Sequence, residues 1–279
     1  MSNAWGPPKI ELITKKFMID KAISNSRSFE IFHPSAWGSC LRKIAYQYYN
    51  EEEKFFVKSA AEGDLKLERI FDNGHGIHAR WQNYLDCAGV LRGNWKCANP
   101  ECGIVHGLEF ALGIFNPIRA QKNWRCACGN SKKLIYEELT VKSPEEYNFE
   151  GHCDAVVDLR GTPYECGNDL DLMVVDFKSM KDEQFFALDH AKHEHIIQVH
   201  IYMWILGIPA GVVLYENKDS QAIKEMFVPR DEKIITKIKE EALWMRKVLE
   251  HKKLPERPSG YSVSKFPCRF CEFAKICYS

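Results

Sequence analysis

The stretch from Glu150 to Lys178 reads EGHCDAVVDLRGTPYECGNDLDLMVVDFK, and the rest of the chain is best understood outward from it. Two short β-type runs, Ala155-Val156-Val157 and Leu172-Met173-Val174-Val175, flank a polar segment containing Gly, Pro, Asn and Asp. Apolar runs bounded by such turn residues spell a hairpin. Gly151 and Asp154 precede the first run, and Asp176-Phe177-Lys178 closes the second. Alternate residues of a strand share a face, so Asp176 and Lys178 project together. Two carboxylates and an ammonium at the end of a buried hairpin are costly unless something pairs with them. A hard divalent cation, Mg2+ or Mn2+, supplies that pairing, because carboxylates and carbonyls suit such ions. The plain alternative is an Asp–Lys salt bridge on an exposed hairpin, a common and weak arrangement.

Gly151-x-x-Asp154, Asp176-x-Lys178 and the later Gln198-x-x-x-Tyr202 jointly resemble the core motifs of the PD-(D/E)XK nucleases. The nearest branch is the RecB-like exonucleases, including the CRISPR-associated iron–sulfur exonucleases. The resemblance covers most of the chain except an insertion near residues 93–135. It implies an α/β fold: a restriction-endonuclease-like core with a central mixed sheet flanked by helices, forming one RecB-like nuclease domain over residues 1–279. It also implies site roles. Asp154, Asp176, Lys178, Gln198 and Tyr202 would be catalytic, and His78, Asp154, Asp176 and the Phe177 carbonyl would hold the divalent ion. His78 enters through Gly76-x-His78, which lies inside a long helical pattern over residues 64–90 and resembles the family's histidine motif. Without the resemblance, a lone helical histidine reads as a surface or core filler. Lys178 would position water, stabilise the phosphate, or act as a base if burial depressed its pKa.

Lys+Arg and Asp+Glu both number 38, so net charge does not single out a nucleic-acid partner. A DNA surface would have to come from local segregation of charge. No apolar run reaches membrane-spanning length and no apolar secretory segment opens the chain, so a cytoplasmic protein without a membrane partner is expected. Eleven cysteines in that setting argue for metal chemistry over disulfides.

The cysteines fall into groups. Within 93–135, Cys97-x4-Cys102 and Cys126-x-Cys128 resemble the two knuckles of a zinc ribbon, with reduced cysteines as the alternative and His106 as a possible substitute ligand. Lys122, Trp124 and Arg125 lie beside the second pair, where an aromatic among cations could contact DNA or simply form a solvated face. In the C-terminal segment 262–279, Cys268-x2-Cys271-x5-Cys277 offers three thiolates. The resembled exonucleases pair such a set with a remote cysteine, which implies Cys40 as the fourth ligand of a [4Fe-4S] cluster stapling the two ends together. A second zinc site is the alternative. Cys40 is expected on a helix within residues 33–49 that Ser35 caps, while Cys87, Cys153 and Cys166 read as bystanders.

Residues 182–206 are expected to be helical, with Gln198 and Tyr202 on one face and His190, His193, His195 and His200 unassigned. Residues 210–219 read as a strand whose Tyr215-Glu216-Asn217-Lys218 end resembles a motif of related phage and bacterial nucleases, with Lys218 within reach of a phosphate or merely exposed. Residues 230–253 read as an amphipathic scaffold helix. The expected activity is Mg/Mn-dependent hydrolysis of single-stranded or end-exposed DNA by an exonuclease, in recombination, repair, replication or CRISPR adaptation. Helicase, recombination or CRISPR integrase proteins would be its partners. A non-catalytic nucleic-acid-binding protein on a nuclease scaffold and a structure-specific endonuclease are the alternatives.

Overall fold

The computed structural model describes residues 14, 18, 28–53, 65–107, 126–129 and 134–279. Helices α1 (Pro34–Trp37), α2 (Leu41–Glu53) and α3 (Leu65–Cys87) come first. Strands β1 (Leu91–Arg92), β2 (Asn94–Cys97), β3 (Val105–Gly107), β4 (Leu134–Glu137), β5 (Leu139–Lys142), β6 (Glu150–Cys153), β7 (Ala155–Asp158) and β8 (Leu172–Met180) follow. Then come α4 (Asp182–Phe186), α5 (His193–Leu206), β9 (Ala210–Asn217), β10 (Ile223–Pro229), α6 (Glu232–Glu250) and the short α7 (Ala274–Tyr278).

The central sheet has the order β1-β7-β8-β9-β10. It is mixed: β7 and β8 are antiparallel, as are β9 and β10, but β8 and β9 are parallel. A parallel pair needs a crossover, which α4 and α5 provide. β8 is central and covered on both sides, so Val174, Val175, Asp176 and Phe177 are all buried rather than alternating in and out. A three-stranded sheet, β3-β2-β4, and a two-stranded one, β5-β6, lie outside it. No helix among the described residues is long and apolar enough to cross a membrane.

α5, HEHIIQVHIYMWIL, is apolar nearly all round because it is sandwiched. Val199 and Met203 pack with Val174 and Val213 of the sheet, while Ile201 packs with Trp37, Ile238 and Met245. It ends at Gly207, whose φ of 67° is the left-handed conformation that closes helices. The close seat of α5 on the sheet depends on Gly211, where an added Cβ would lie 2.2 Å from Val199 Cγ1 and 3.2 Å from Val174 Cγ2.

Three local expectations change. The helix expected over 33–49 is broken into α1 and α2, and His33, not Ser35, occupies the cap position of α1. Gly38 causes the break by lying against the start of α5, where a Cβ would come within 2.4 Å of Glu194 Cα. Cys40 therefore stands before α2, its carbonyl accepting from the backbone N–H of Lys43 and Ile44. The helix expected over 182–206 is likewise two helices, with the intervening carbonyls of Phe185 and Leu188 each accepting from Lys224 Nζ at 2.8 Å. β10 had no counterpart in the expectations, because it is largely exposed and carries charge at Lys224 and Glu225.

Gly211→Ala should destabilise the fold by about 2 kcal/mol through overpacking, read as a lower melting temperature. Adding Val199→Ala should make the double variant less destabilised than the two single losses added together. Strict additivity would show that the α5–β9 contact does not control the packing.

Candidate functional site

Three segments converge where β6 gives way to β7. Asp154 occupies the break between those strands, and its Oδ2 accepts from the backbone N–H of Phe177 at 2.8 Å. Its Oδ1 lies 3.6 Å from His78 Nδ1 of α3. Glu138 sits between β4 and β5, and Gln82 of α3 donates at 2.9 Å to both Glu138 Oε1 and the Asp154 carbonyl. Ligand atoms of His78, Glu138 and Asp154 all lie within 4.8 Å of one another, a spacing that can hold one metal ion.

Asp176 and Lys178 do share a face, with Lys178 Nζ 2.7 Å from Asp176 Oδ1. The other oxygen, Asp176 Oδ2, is buried without a hydrogen-bond partner. A buried carboxylate oxygen left unpaired is expensive and calls for a proton or a cation. Phe177 contributes through its backbone N–H to Asp154 and through its buried ring, whose centroid lies 5.7 Å from that of His78.

α3 is clamped in place by the end of β9. The buried Glu216 carboxylate accepts from Arg80 and, at 2.7 Å, from Trp81 Nε1. The strand-end Tyr215-Glu216-Asn217 segment thus positions the histidine helix, a role its sequence did not announce. Lys218 follows that strand half-buried, and its backbone N–H donates to the Met180 carbonyl at 2.9 Å. Across the site, Gln198 Nε2 donates to Tyr202 Oη at 3.4 Å, and Tyr202 donates to the His152 carbonyl at 2.7 Å. Gly151 lets Pro34 lie close, since a Cβ there would meet Pro34 Cδ at 2.9 Å, while Tyr202 Oη at 3.5 Å would be in ordinary contact.

The electrostatics are those of a crowded acidic interior. Burial raises Asp154 and Asp176 each to about 6, with the Lys178 ammonium partly offsetting the rise. Burial also raises Glu138, and burial together with Lys178 lowers His78 to about 4. For Lys178, burial pulls downward but the Asp176 and Asp154 carboxylates outweigh it, and the pKa moves up. The Asp176 and Asp154 carboxylates thus favour the ammonium form of Lys178.

The cysteines form two sets of different size. The sulfurs of Cys97, Cys102, Cys126 and Cys128 all lie within 4.8 Å of one another, with Cys97–Cys128 at 3.8 Å and Cys102–Cys126 at 3.5 Å. Four cysteine sulfurs this close form a set that could hold a metal ion. Cys40, Cys268, Cys271 and Cys277 instead line one cavity of about 280 Å³, and no three of their sulfurs approach that closely. Among the bystanders, Cys153 is buried and donates to the Ala155 carbonyl, while Cys87 and Cys166 are exposed. Lys122, Trp124 and Arg125 lie outside the described residues.

Sequence reasoning overlooked Glu138. It follows Glu137 between two short runs, LIYE and LTVK, and no periodicity separates an inward glutamate from an outward one there. His200, left unassigned, is structural: its Nδ1 bonds the Ile196 carbonyl and its Nε2 accepts from the Asp231 N–H that opens α6.

No family model matches the sequence, and no curated protein matches it. Among solved structures, the crystal structure of SSO0001 is similar over 97% of this chain and 96% of that chain, at 14% identity and a TM-score of 0.45. An alkaline exonuclease from Laribacter hongkongensis, LHK-Exo, is similar over 42% of this chain and 58% of its own, at 18% identity and a TM-score of 0.34. The same exonuclease in complex with dAMP is similar over the same shares, at 17% identity and a TM-score of 0.33. At these values, chemistry has to be read from the site's own geometry.

A carboxyl whose folded-state pKa lies above its unfolded value binds its proton more tightly when folded. Stability without a divalent ion therefore falls as pH rises from the ordinary 3.8 towards about 6 for Asp154. Asp154→Asn keeps an acceptor for Phe177 but removes the charge. It should raise the metal-free melting temperature by about 2 °C or more at pH about 7.5, with the gain fading near pH about 4. The same change should abolish stabilisation by added Mn2+, measured by thermal shift. Equal Mn2+ stabilisation of wild type and variant would remove Asp154 from the ion site.

Proposed function

We propose that the chain is a divalent-metal-dependent nuclease acting as an exonuclease on single-stranded or end-exposed DNA in an intracellular setting. The supporting observation is Asp176 Oδ2, buried and unpartnered beside the His78–Glu138–Asp154 group and the Lys178 ammonium. The donor set, one imidazole nitrogen and three carboxylates of which those of Asp154 and Asp176 are buried, fits a hard divalent ion held by His78, Glu138, Asp154 and Asp176. Such an ion, when bound, makes water more acidic and neutralises charge building on a phosphate.

The chain's own groups do the remaining work. Asp176 holds Lys178, and the ammonium is fixed where negative charge develops on the attacked phosphate. Asp154 is itself oriented by the Phe177 N–H, which keeps one oxygen turned towards His78. Gln198 and Tyr202 form a polar edge on α5 over the strand break, suited to orienting the strand being cut. The apolar layers packed around β8 and α5 keep water from the site on those sides.

The compact four-cysteine set supports a structural zinc ion, and the wider set supports a [4Fe-4S] cluster, because its cysteines surround a space larger than one ion needs. The cluster would join the start of α2 to the C-terminal segment, which Tyr46 already links by donating to the Ile276 carbonyl at 3.4 Å.

Asp176→Asn and Lys178→Ala should each reduce hydrolysis of a labelled single-stranded oligonucleotide in Mn2+ by about 100-fold or more, with the folded circular-dichroism spectrum retained. A Lys178→Ala protein that cuts at the normal rate would defeat this assignment. Protein purified without oxygen should carry about four irons and about one zinc per chain. Cys40→Ala should lose the iron and keep the zinc, and retention of all iron would exclude Cys40 as a ligand.

A further inference from the structure

We propose that His195, whose ring is locked onto Tyr215, donates its Nε2–H to a phosphate oxygen of the bound strand. This assignment deepens the nuclease reading and rests on it. His195, Gln198 and Tyr202 occur at spacings of three and four on α5, so they lie along one face of the helix. The two ends of that face are fixed independently: Tyr202 donates to His152, and His195 Nδ1 lies 2.7 Å from Tyr215 Oη.

Tyr215 is placed by the sheet. It is the register partner of Lys178 in the parallel β8–β9 pair, just as Val213 is the partner of Asp176. Register partners two residues apart repeat on the same face, so the phenol rises beside the Asp176–Lys178 pair. Tyr215 is fully buried, and its oxygen also accepts from the Lys192 N–H at 2.9 Å. With one lone pair of the phenol taken by the Lys192 N–H, a phenolic proton given to His195 Nδ1 would leave the imidazole as the tautomer with its proton on Nε2.

His195 Nε2 has no protein partner among the described residues, and the ring is only half-buried. Burial is the main influence on the imidazole, with the Lys178 and Lys192 ammonium groups next, and together they hold it at about 3, so the ring stays neutral. A neutral ring held by a phenol beside an ammonium is a ready hydrogen-bond donor to an anion. Its lone open nitrogen would reach a phosphate oxygen next to the one Lys178 meets. Gln198 would continue the same polar row along the helix.

The test is binding of a fluorescent single-stranded oligonucleotide in Ca2+, followed by cleavage in Mn2+, for the full chain. His195→Ala should weaken binding by about 10-fold to 100-fold, the usual loss for a hydrogen bond to a charged group. His195→Gln, whose amide can donate from a similar position, should recover most of that loss. Tyr215→Phe should weaken binding less than His195→Ala and should be additive with Lys178→Ala only in part. Folding is checked by melting temperature, since a merely structural histidine would lower stability and leave the affinity of the folded protein unchanged. Wild-type affinity in folded His195→Ala, or no recovery in His195→Gln, would overturn the assignment. A wild type that binds but never cleaves would defeat the nuclease reading, and the Ca2+ binding series would still decide His195.

Discussion

Asp176 keeps one oxygen on Lys178 and buries the other with nothing to accept, and the surrounding structure is arranged to keep it there. Asp154 lies nearby with Glu138 half-buried beside it, so three acidic groups face one ammonium. Removing that charge from water costs several kcal/mol per ion unless it is compensated. Protonation compensates below about pH 6 for the two aspartates, and above it a cation does so better. The neutral, low-pKa His78 adds a lone pair without adding positive charge, which suits a ligand more than a salt-bridge partner.

Such a cluster needs rigid walls, and each wall is tied by a separate device. α3 brings His78 and Gln82 because Arg80 and Trp81 grip Glu216 at the end of β9. α5 brings Gln198 and Tyr202 because Gly211 and Gly38 let it lie close to the sheet on one side and to α1 on the other. A side chain at either glycine would push the helix away from the strand break. Glycine here marks approach distance, not flexibility.

The β7–β8 hairpin was legible because a buried strand pair leaves a double signature: apolar runs and the turn between them. Lys178 beside Asp176 was legible for the same reason, since a period of two fixes which side chains share a face. Glu138 was not, because its role depends on β4 and β5 bringing a loop position under α3. The break at Gly38 was hidden as well, since local helical spacing carries no information about a backbone from residue 194 pressing on it. Clearest in the sequence were features set by neighbours along the chain; features set by contacts between distant segments needed the fold.

Cysteine spacing separates the two cysteine sets less well than their breadth in space does. A four-sulfur group within 4.8 Å has room for one ion among its members, whereas cysteines ringing a cavity of about 280 Å³ have room for several atoms. The wide set also lies where the chain's distant parts already meet: Tyr46 stacks on Phe273 with centroids 5.4 Å apart, and Tyr49 donates to the Lys253 carbonyl at 2.7 Å. Cys40 follows the Gly38 turn that presses on Glu194, the residue before His195. A group held there would lie next to the turn that braces the start of α5.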